Sequence, residues 1–409
     1  MCWKKEVEFQ TLMAEQTSHV GFIRTYLTKS TRQYAEQDFL TCPLGVLLLL
    51  TTIFGSGGSR GNTSVQIART LQLKSPTEPN RLSAAMNEAK SLYQDLVNEL
   101  TSADTVIDNK RVNVMSIATG VFVKDGLPLE PKFRWSVTNE FRATVQQLDF
   151  NNQSASADII NGWVNQETKG LIPRLFRSAY EVPRESRVVL LNAFTFKDDW
   201  ASKFKPYDTH TEDFYVDAKN TIKVSMMSSV ETMAYANMPD KGFAMIKKPM
   251  QNNRFSFIVL LPTEQWNLQG AEMVLNGMYS LRELVKSMDN AVVSLKLPKF
   301  KMTKELNLIP ILESMGTIDL FRSQLADMSG ITHRESLYVS LCKQGTVLRV
   351  DEAGVEAAAA TGLLASATSY VEPSAKFHVD QPFVCFIYDE VKDLPLIAGS
   401  VKHPEYKQF

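Results

Sequence analysis

A mixed α+β fold with several sheets is what the sequence predicts, and three observations predict it. Apolar residues recur at helical spacing through most of the first hundred residues. Residues 187–196 form a nearly continuous hydrophobic strand, and two further strand signals, at 382–388 and 396–401, lie near the end of the chain.

Taken in order, residues 9–29 and 44–54 space their apolar side chains near 3.6, and 64–73 places Val65, Ile67, Ala68 and Leu71 on one stripe. Residues 82–100 continue the pattern. The stretch 44–54 is the greasiest, yet it falls short of the ~18 residues that cross a bilayer and contains Thr51 and Thr52, so it predicts a buried helix. Strands begin near Val112, first at 116–123. The strand at 187–196 is apolar on both faces and must be covered on both, inside a large sheet. Later strands are expected at 255–261, 291–297 and 346–350. Length, 409 residues at roughly 150 per domain, fits two or three domains or one large one. No linker-like composition and no repeat with a period of about 20 to 50 residues divides the chain.

Acidic and basic residues nearly cancel, 45 against 44, so no overall field draws in nucleic acid or an anionic membrane. Arg60, Arg69, Lys74, Arg81 and Lys90 are dispersed, which disfavours a polyanion site. Hydrophobic residues at 44% and charged residues at 22% fit a soluble globular protein. The amino terminus, Met1 to Glu8, carries charge but lacks the apolar stretch of a secretory signal. The expectation is a cytoplasmic protein, or one released by an unconventional route. Cys2, Cys42, Cys342 and Cys385 lie far apart without metal or redox spacing and read as buried or incidental thiols. Asn62-Thr63-Ser64 and Asn152-Gln153-Ser154 match the glycosylation triplet, which matters only in a secreted protein.

Enzymatic readings are weak: no Walker loop, GxGxxG or HExxH occurs. The five histidines (His19, His210, His333, His378, His403) are scattered and read as solvated side chains rather than bases. The pairs Asp198-Asp199 and Asp389-Glu390 sit among turn residues and read as solvated faces.

The unusual segment runs from Val350 to Pro373, with no charge between Glu356 and Glu372. An alanine-rich helix is one reading. Gly354 and Gly362 bracket the alanines, however, the Ser/Thr-rich continuation is a poor helix, and Pro373 closes the stretch. Small neutral side chains suit an exposed loop that can become a buried strand, because they cost little entropy and fit under covering helices.

These residues resemble the serpin family over nearly the whole chain. Glu352-Ala353-Gly354-Val355-Glu356-Ala357-Ala358-Ala359-Ala360 looks like the hinge of inhibitory serpins: acidic residue, spacer, Gly, small residue, alanine run. Asn161-Gly162-Trp163-Val164 with Thr168-Lys169-Gly170-Leu171-Ile172 resembles the helix that lies across the main sheet, and Asn192 to Trp200 the central strand and its Trp. Ser225-Met226-Met227, Leu297-Pro298-Lys299-Phe300, Ala326 to Ile331, Gln381-Pro382-Phe383 and Ala398-Gly399-Ser400-Val401 follow in order. Two places depart from the family. Thr41-Cys42-Pro43-Leu44-Gly45 stands where Asn-Ser-Pro-x-Ser is usual, and Gln344 where a His usually sits eight residues before the hinge Glu. Both departures fall near Asn192, where the main sheet parts in the family, and put the usual opening barrier and its pH sensitivity in doubt.

The resemblance implies a serpin fold in a single domain, 1–409, with three β-sheets including a large central one, about eight to nine helices, and an exposed reactive loop at 352–371. It implies no enzyme activity and no cofactor or metal. It implies instead a suicide-substrate inhibitor, a monomer that forms a covalent 1:1 complex with a serine protease: the loop is cleaved and inserts as an added strand while the protease is still acylated. Cys42, Asn192, Trp200 and Gln344 fall at the shutter and breach of the central sheet. A compact chain of this length is roughly 55 Å across, and the seventeen residues from Glu352 to Thr368 reach about 55 Å when extended. The hinge spacing puts the reactive bond at Thr368-Ser369, whereas counting back from Pro382-Phe383 selects Val371. No Lys or Arg occurs from Ala353 through Ala375, which disfavours trypsin-like targets. Elastase-like enzymes suit Thr368, Ala367 or Val371; chymotrypsin-like ones suit Tyr370 or Leu364. The alternative is a non-inhibitory serpin acting as carrier, chaperone or storage protein.

Overall fold

The computed structural model describes residues 18–35, 37–75, 82–101, 105–107, 110–112, 114–355 and 372–405. Nine α-helices occur among the described residues: α1 (Ser18–Gln33), α2 (Pro43–Gly55), α3 (Gly61–Thr70), α4 (Leu82–Thr101), α5 (Pro131–Trp135), α6 (Gln153–Glu167), α7 (Gln269–Leu275), α8 (Leu281–Lys286) and α9 (Ile309–Ser314). The helix expected at 9–29 runs Ser18–Gln33, and residues 9–17 lie outside the described residues.

Every residue of α2 is buried, as a helix without a polar face must be. Pro43 occupies its first turn, where a missing N–H costs nothing, and the Cys42 Sγ accepts the Gly45 N–H at 3.3 Å as an N-cap. No described helix is long and apolar enough to cross a membrane.

Seven strands form the sheet that α2 supports: β1 (Met115–Lys124), β2 (Thr144–Leu148), β3 (Val188–Phe196), β4 (Asp198–Asp199), β5 (Phe300–Asn307), β6 (Val339–Val350) and β7 (Gly354–Val355). Their order is β2-β1-β3-β6-β7-β4, with β5 also paired to β6. All nine residues of β3 are buried, and alternate side chains serve two cores. Val188, Leu190, Phe194 and Phe196 join the main core with α2, whereas Val189, Leu191 and Ala193 join a second cluster with Ile160 and Val164 of α6. Burial on both faces explains the unbroken hydrophobic run.

A nine-stranded sheet packs on the other side of the main core, in the order Phe39–Thr41, Leu394–Val401, Phe383–Asp389, Phe255–Pro262, Phe243–Pro249, Thr221–Met238, Asp289–Pro298, Ala375–His378, with His210–Tyr215 on Thr221–Met238. A third sheet among the described residues pairs Thr105–Ile107 with Lys110–Val112.

Both acidic pairs expected to be solvated are instead structural. Asp389 is fully buried because Arg254 grips its carboxylate, Nε at 3.0 Å from both oxygens and Nη2 at 2.6 Å. Asp198 is only 8% exposed, in a strand rather than a turn. His19 and His378 are not freely solvated either: burial holds both imidazoles below their ordinary pKa.

Candidate functional site

β3 and β6 run parallel and adjacent from Val188/Val339 to Thr195/Val347. Beyond that point they part, and β7 lies between β6 and β4, pairing Val350 with Val355 on one side and Asp198-Asp199 with Val355-Gly354 on the other. Two residues of the segment expected as loop, Gly354 and Val355, are thus buried as a two-residue strand. Gly354 is required by close approach: a Cβ there would stand 2.3 Å from the Asp198 carbonyl oxygen and 2.6 Å from the Asp199 Cα. The turn before it is built by Asp351, whose Oδ1 accepts the Ala353 N–H at 3.0 Å while its own N–H donates to the Gly354 carbonyl at 3.0 Å.

Trp200 holds this turn. Its indole N–H donates to the Asp351 carbonyl at 2.8 Å and its backbone N–H to the Ala353 carbonyl at 2.9 Å. The Lys248 ammonium lies 5.4 Å from the Trp200 ring centre and 4.7 Å from that of Phe204, and pairs with Glu231 at 2.6 Å. The Glu352 carboxylate meets the Lys299 ammonium at 2.7 Å and the Thr209 hydroxyl at 2.9 Å. Burial pushes the Glu352 carboxyl up, but Lys299 and Thr209 outweigh it and hold the group below its ordinary value. Burial pushes the Asp198 carboxyl up to about 6.

Further along the seam, Gln344 sits opposite Asn192 and joins the strands to the start of α2. Its Oε1 accepts the Thr41 hydroxyl at 2.6 Å and the Cys42 N–H at 3.0 Å; its Nε2 donates to the Cys42 carbonyl at 2.7 Å and to Asn192 Oδ1 at 2.9 Å. All four hydrogen bonds that an amide can make are therefore used. The Asn192 amide donates onward to the Ala118 carbonyl of β1 at 3.1 Å, and the Tyr26 hydroxyl reaches Thr41 at 2.8 Å. Gly45 makes room for Asn192, since a Cβ at 45 would lie 2.2 Å from Asn192 Oδ1. Burial pushes the Cys42 thiol up to about 12 and the Tyr26 phenol higher still.

Of the residues the sequence singled out, Cys42, Asn192 and Gln344 come together in one network, and Trp200, Glu352, Gly354 and Val355 in another. Glu356, Ala357, Ala358, Ala359, Ala360, Leu364, Ala367, Thr368, Ser369, Tyr370 and Val371 lie outside the described residues. Asn62 and Asn152 are both exposed. The Asn62 amide donates to Asp319, and Asn152 caps α6. Sequence reasoning missed Tyr26, Lys248 and Glu231; for Lys248 the signal was its place between Ile246 and Met250, two positions to either side along a strand and so on one face of it. Among the described residues no group of three or more His, Cys, Asp or Glu could hold a metal ion.

A family model described as serpin (serine protease inhibitor) matches residues 20–404. The chain belongs to the serpin family. Among solved serpins, one from the trematode Schistosoma haematobium superposes with a TM-score of 0.87 at 39% identity, covering 95% of this chain and 100% of that one. A serpin from Schistosoma mansoni gives 0.85 at 38% identity, over 94% and 100%. Iripin-4 of Ixodes ricinus is 36% identical over 71% of this serpin and 73% of its own length, and the leukocyte elastase inhibitor of Homo sapiens is 30% identical over 85% and 88%. Serpins are generally protease inhibitors rather than enzymes.

Proposed function

We propose that this serpin is a single-domain suicide-substrate inhibitor of serine proteases, whose reactive loop, 352–371, is cleaved at Thr368-Ser369 and enters the central sheet between β3 and β6. The observation that carries the reading is the placement of Gly354 and Val355: they already pair as a two-residue strand at the parted end of that seam. The residues that follow, Glu356 apart, are small and uncharged as far as Ser369, with Leu363 and Leu364 the largest, so the strand can lengthen without burying a charge beyond that one. Each added ladder hydrogen bond contributes about 1 kcal/mol net, so a dozen supply on the order of 10 kcal/mol toward distorting a tethered protease. Elastase- or chymotrypsin-like targets fit a loop without Lys or Arg, and a relative named leukocyte elastase inhibitor supports the former.

The test is incubation with elastase-, chymotrypsin- and trypsin-like proteases, read on denaturing gels and by sequencing the released peptide. A protease-linked 1:1 band and a cut after Thr368 are expected. Cleavage by every protease without such a band would sink the inhibitor reading in favour of a carrier, chaperone or storage role.

A further inference from the structure

After α6 the chain does not return directly to β3 but crosses the outer face of the sheet as a strap, residues 171–182. Ile172, Leu175, Phe176 and Val182 of the strap share one hydrophobic cluster with Val189, Leu191 and Ala193 of β3 and with Leu341 and Val347 of β6. The strap therefore covers the seam through which an added strand would pass. Gly345 of β6 lies directly beneath it: a Cβ there would stand 2.9 Å from Leu175 Cδ1 and 3.4 Å from Ile172 Cδ1. Asn161 of α6 ties the strap to the helix, its Oδ1 accepting the Leu175 and Phe176 N–H groups at 2.8 Å and its amide donating to the Phe176 carbonyl at 2.9 Å.

One charged contact ties the strap to β6 itself. The Lys343 ammonium meets Glu181 Oε2 at 2.7 Å and lies 4.9 Å from the centre of the Phe176 ring. Lys343 is only 14% exposed, so neither contact is fully screened by water. Glu181 is held rigidly from the other side, since its Oε1 accepts the Arg177 and Ser178 N–H groups at 2.8 and 3.1 Å. Arg177 in turn reaches Glu305 of β5 at 3.6 Å, from an exposed position where it contributes little. Lys343 sits on the strand that must separate from β3, whereas Glu181 and Phe176 sit on the cover.

We propose that Lys343, through Glu181 and Phe176, is a positioning residue that latches the strap over the β3–β6 seam and limits the rate at which the cleaved loop can enter. The role in trapping rests on the inhibitor reading above; the latch itself does not. Releasing it favours fast insertion, so more encounters end in a trapped protease and fewer in a cleaved, wasted inhibitor. The same release lets the seam open without any protease.

The experiment compares wild type, Lys343→Met, which keeps the apolar stem on Phe176, and Lys343→Arg, which restores the charge. Backbone hydrogen exchange of residues 171–182 reports the latch without reference to any protease. Lys343→Met should speed that exchange about tenfold, the combined effect of a part-buried ion pair and a cation–π contact, leave exchange of β1 unchanged, and lower the moles of inhibitor consumed per mole of protease trapped. Lys343→Arg should restore both values, and 1 M salt should move wild type toward the Met variant. Strap exchange within twofold of wild type, or acceleration spread evenly over the sheet, would overturn the proposal. If the wild-type protein traps no protease, the inhibitor reading fails while strap exchange still decides the latch.

Discussion

The seam between β3 and β6 is secured by opposite chemistries at its two described stations. Midway, Gln344, Asn192, Thr41 and Tyr26 close it with uncharged hydrogen bonds, each buried and each satisfied. At the parted end, Lys299–Glu352 and Lys248–Glu231 hold the hinge and Trp200 with charges, beside an Asp198 carboxyl that burial pushes up to about 6. A neutral network is strong only while complete, since a lost partner leaves a desolvated group behind. A charged one responds to salt and pH. Within the sheet, beneath the strap and its Lys343 latch, the middle of the seam should therefore behave as a fixed closure and the end as an adjustable one.

The largest effect expected from breaking this contrast follows a charge placed in the strand the end is already accepting. Val355 is fully buried between β6 and β4, so Val355→Arg forces an unpaired guanidinium into the sheet or the hinge out of it, a cost of several kcal/mol. The variant should be cleaved at least ten times more often per protease trapped, as measured from the ratio of nicked to complexed protein on denaturing gels. Trapping at the wild-type ratio would show that Val355 need not enter the sheet.

At the middle station, Gln344→Ala strands the Cys42 N–H and Asn192 Oδ1 and takes one hydrogen bond each from the Thr41 hydroxyl and the Cys42 carbonyl, and should destabilise the native state by about 3 kcal/mol in denaturant unfolding. Gly45→Ala should cost about 1–3 kcal/mol by driving a methyl group into Asn192. A sharper test is Gln344→His. None of the network's own members titrates between about pH 4 and 9, so wild-type closure should be flat there. A buried imidazole has its folded pKa lowered, so its stabilisation is present above the unfolded value of about 6.5 and is lost as the pH falls through that range. Unfolding curves for Gln344→His that stay parallel to wild type from pH 8 to pH 5 would contradict a neutral closure.

How much of this could be read beforehand depended on which physical signal each residue left. β3 was legible because burial on both faces leaves an unbroken hydrophobic run, and α2 because it is buried all round. β6 was expected only at 346–350 although it spans Val339–Val350, because Lys343 and Gln344 interrupt its hydrophobic pattern for the sake of the latch and the network. Thr221–Met238 was missed as a strand: it pairs in turn with three neighbours, so its burial follows no single period. Gln344 and Gly45 were visible as departures from a family pattern, but not that they compensate each other. The lack of a side chain at 45 admits Asn192, and the amide at 344 bonds both Asn192 and the Cys42 backbone. That complementarity exists only in three dimensions.

The smallest expected effects lie in the pH response of the charged end, where two carboxyls act in opposite directions. Glu352 has its folded pKa depressed, so its contribution is present above the ordinary carboxylate value and is lost as the pH falls through the folded one. Asp198 has its folded pKa raised to about 6, so its contribution is complete below its ordinary value and disappears as the pH rises to about 6. Asp198 governs the change between about pH 4 and pH 6 and Glu352 the change below its ordinary value of about 4.3, so wild-type stability from about pH 2 to pH 6 is the sum of the two, and each variant removes one of them. Glu352→Gln should abolish the loss seen on acidification and weaken the hold of Lys299 on the hinge. Asp198→Asn should abolish the decline between pH 4 and pH 6 while keeping the oxygen that accepts the Asp199 N–H. Thermal unfolding of the three proteins across that range reads the difference directly, so the titration of every other group cancels. If the Asp198→Asn curve ran parallel to wild type, the Asp198 carboxyl would have an ordinary pKa, and its burial against the hinge would contribute nothing to how the seam responds to acid.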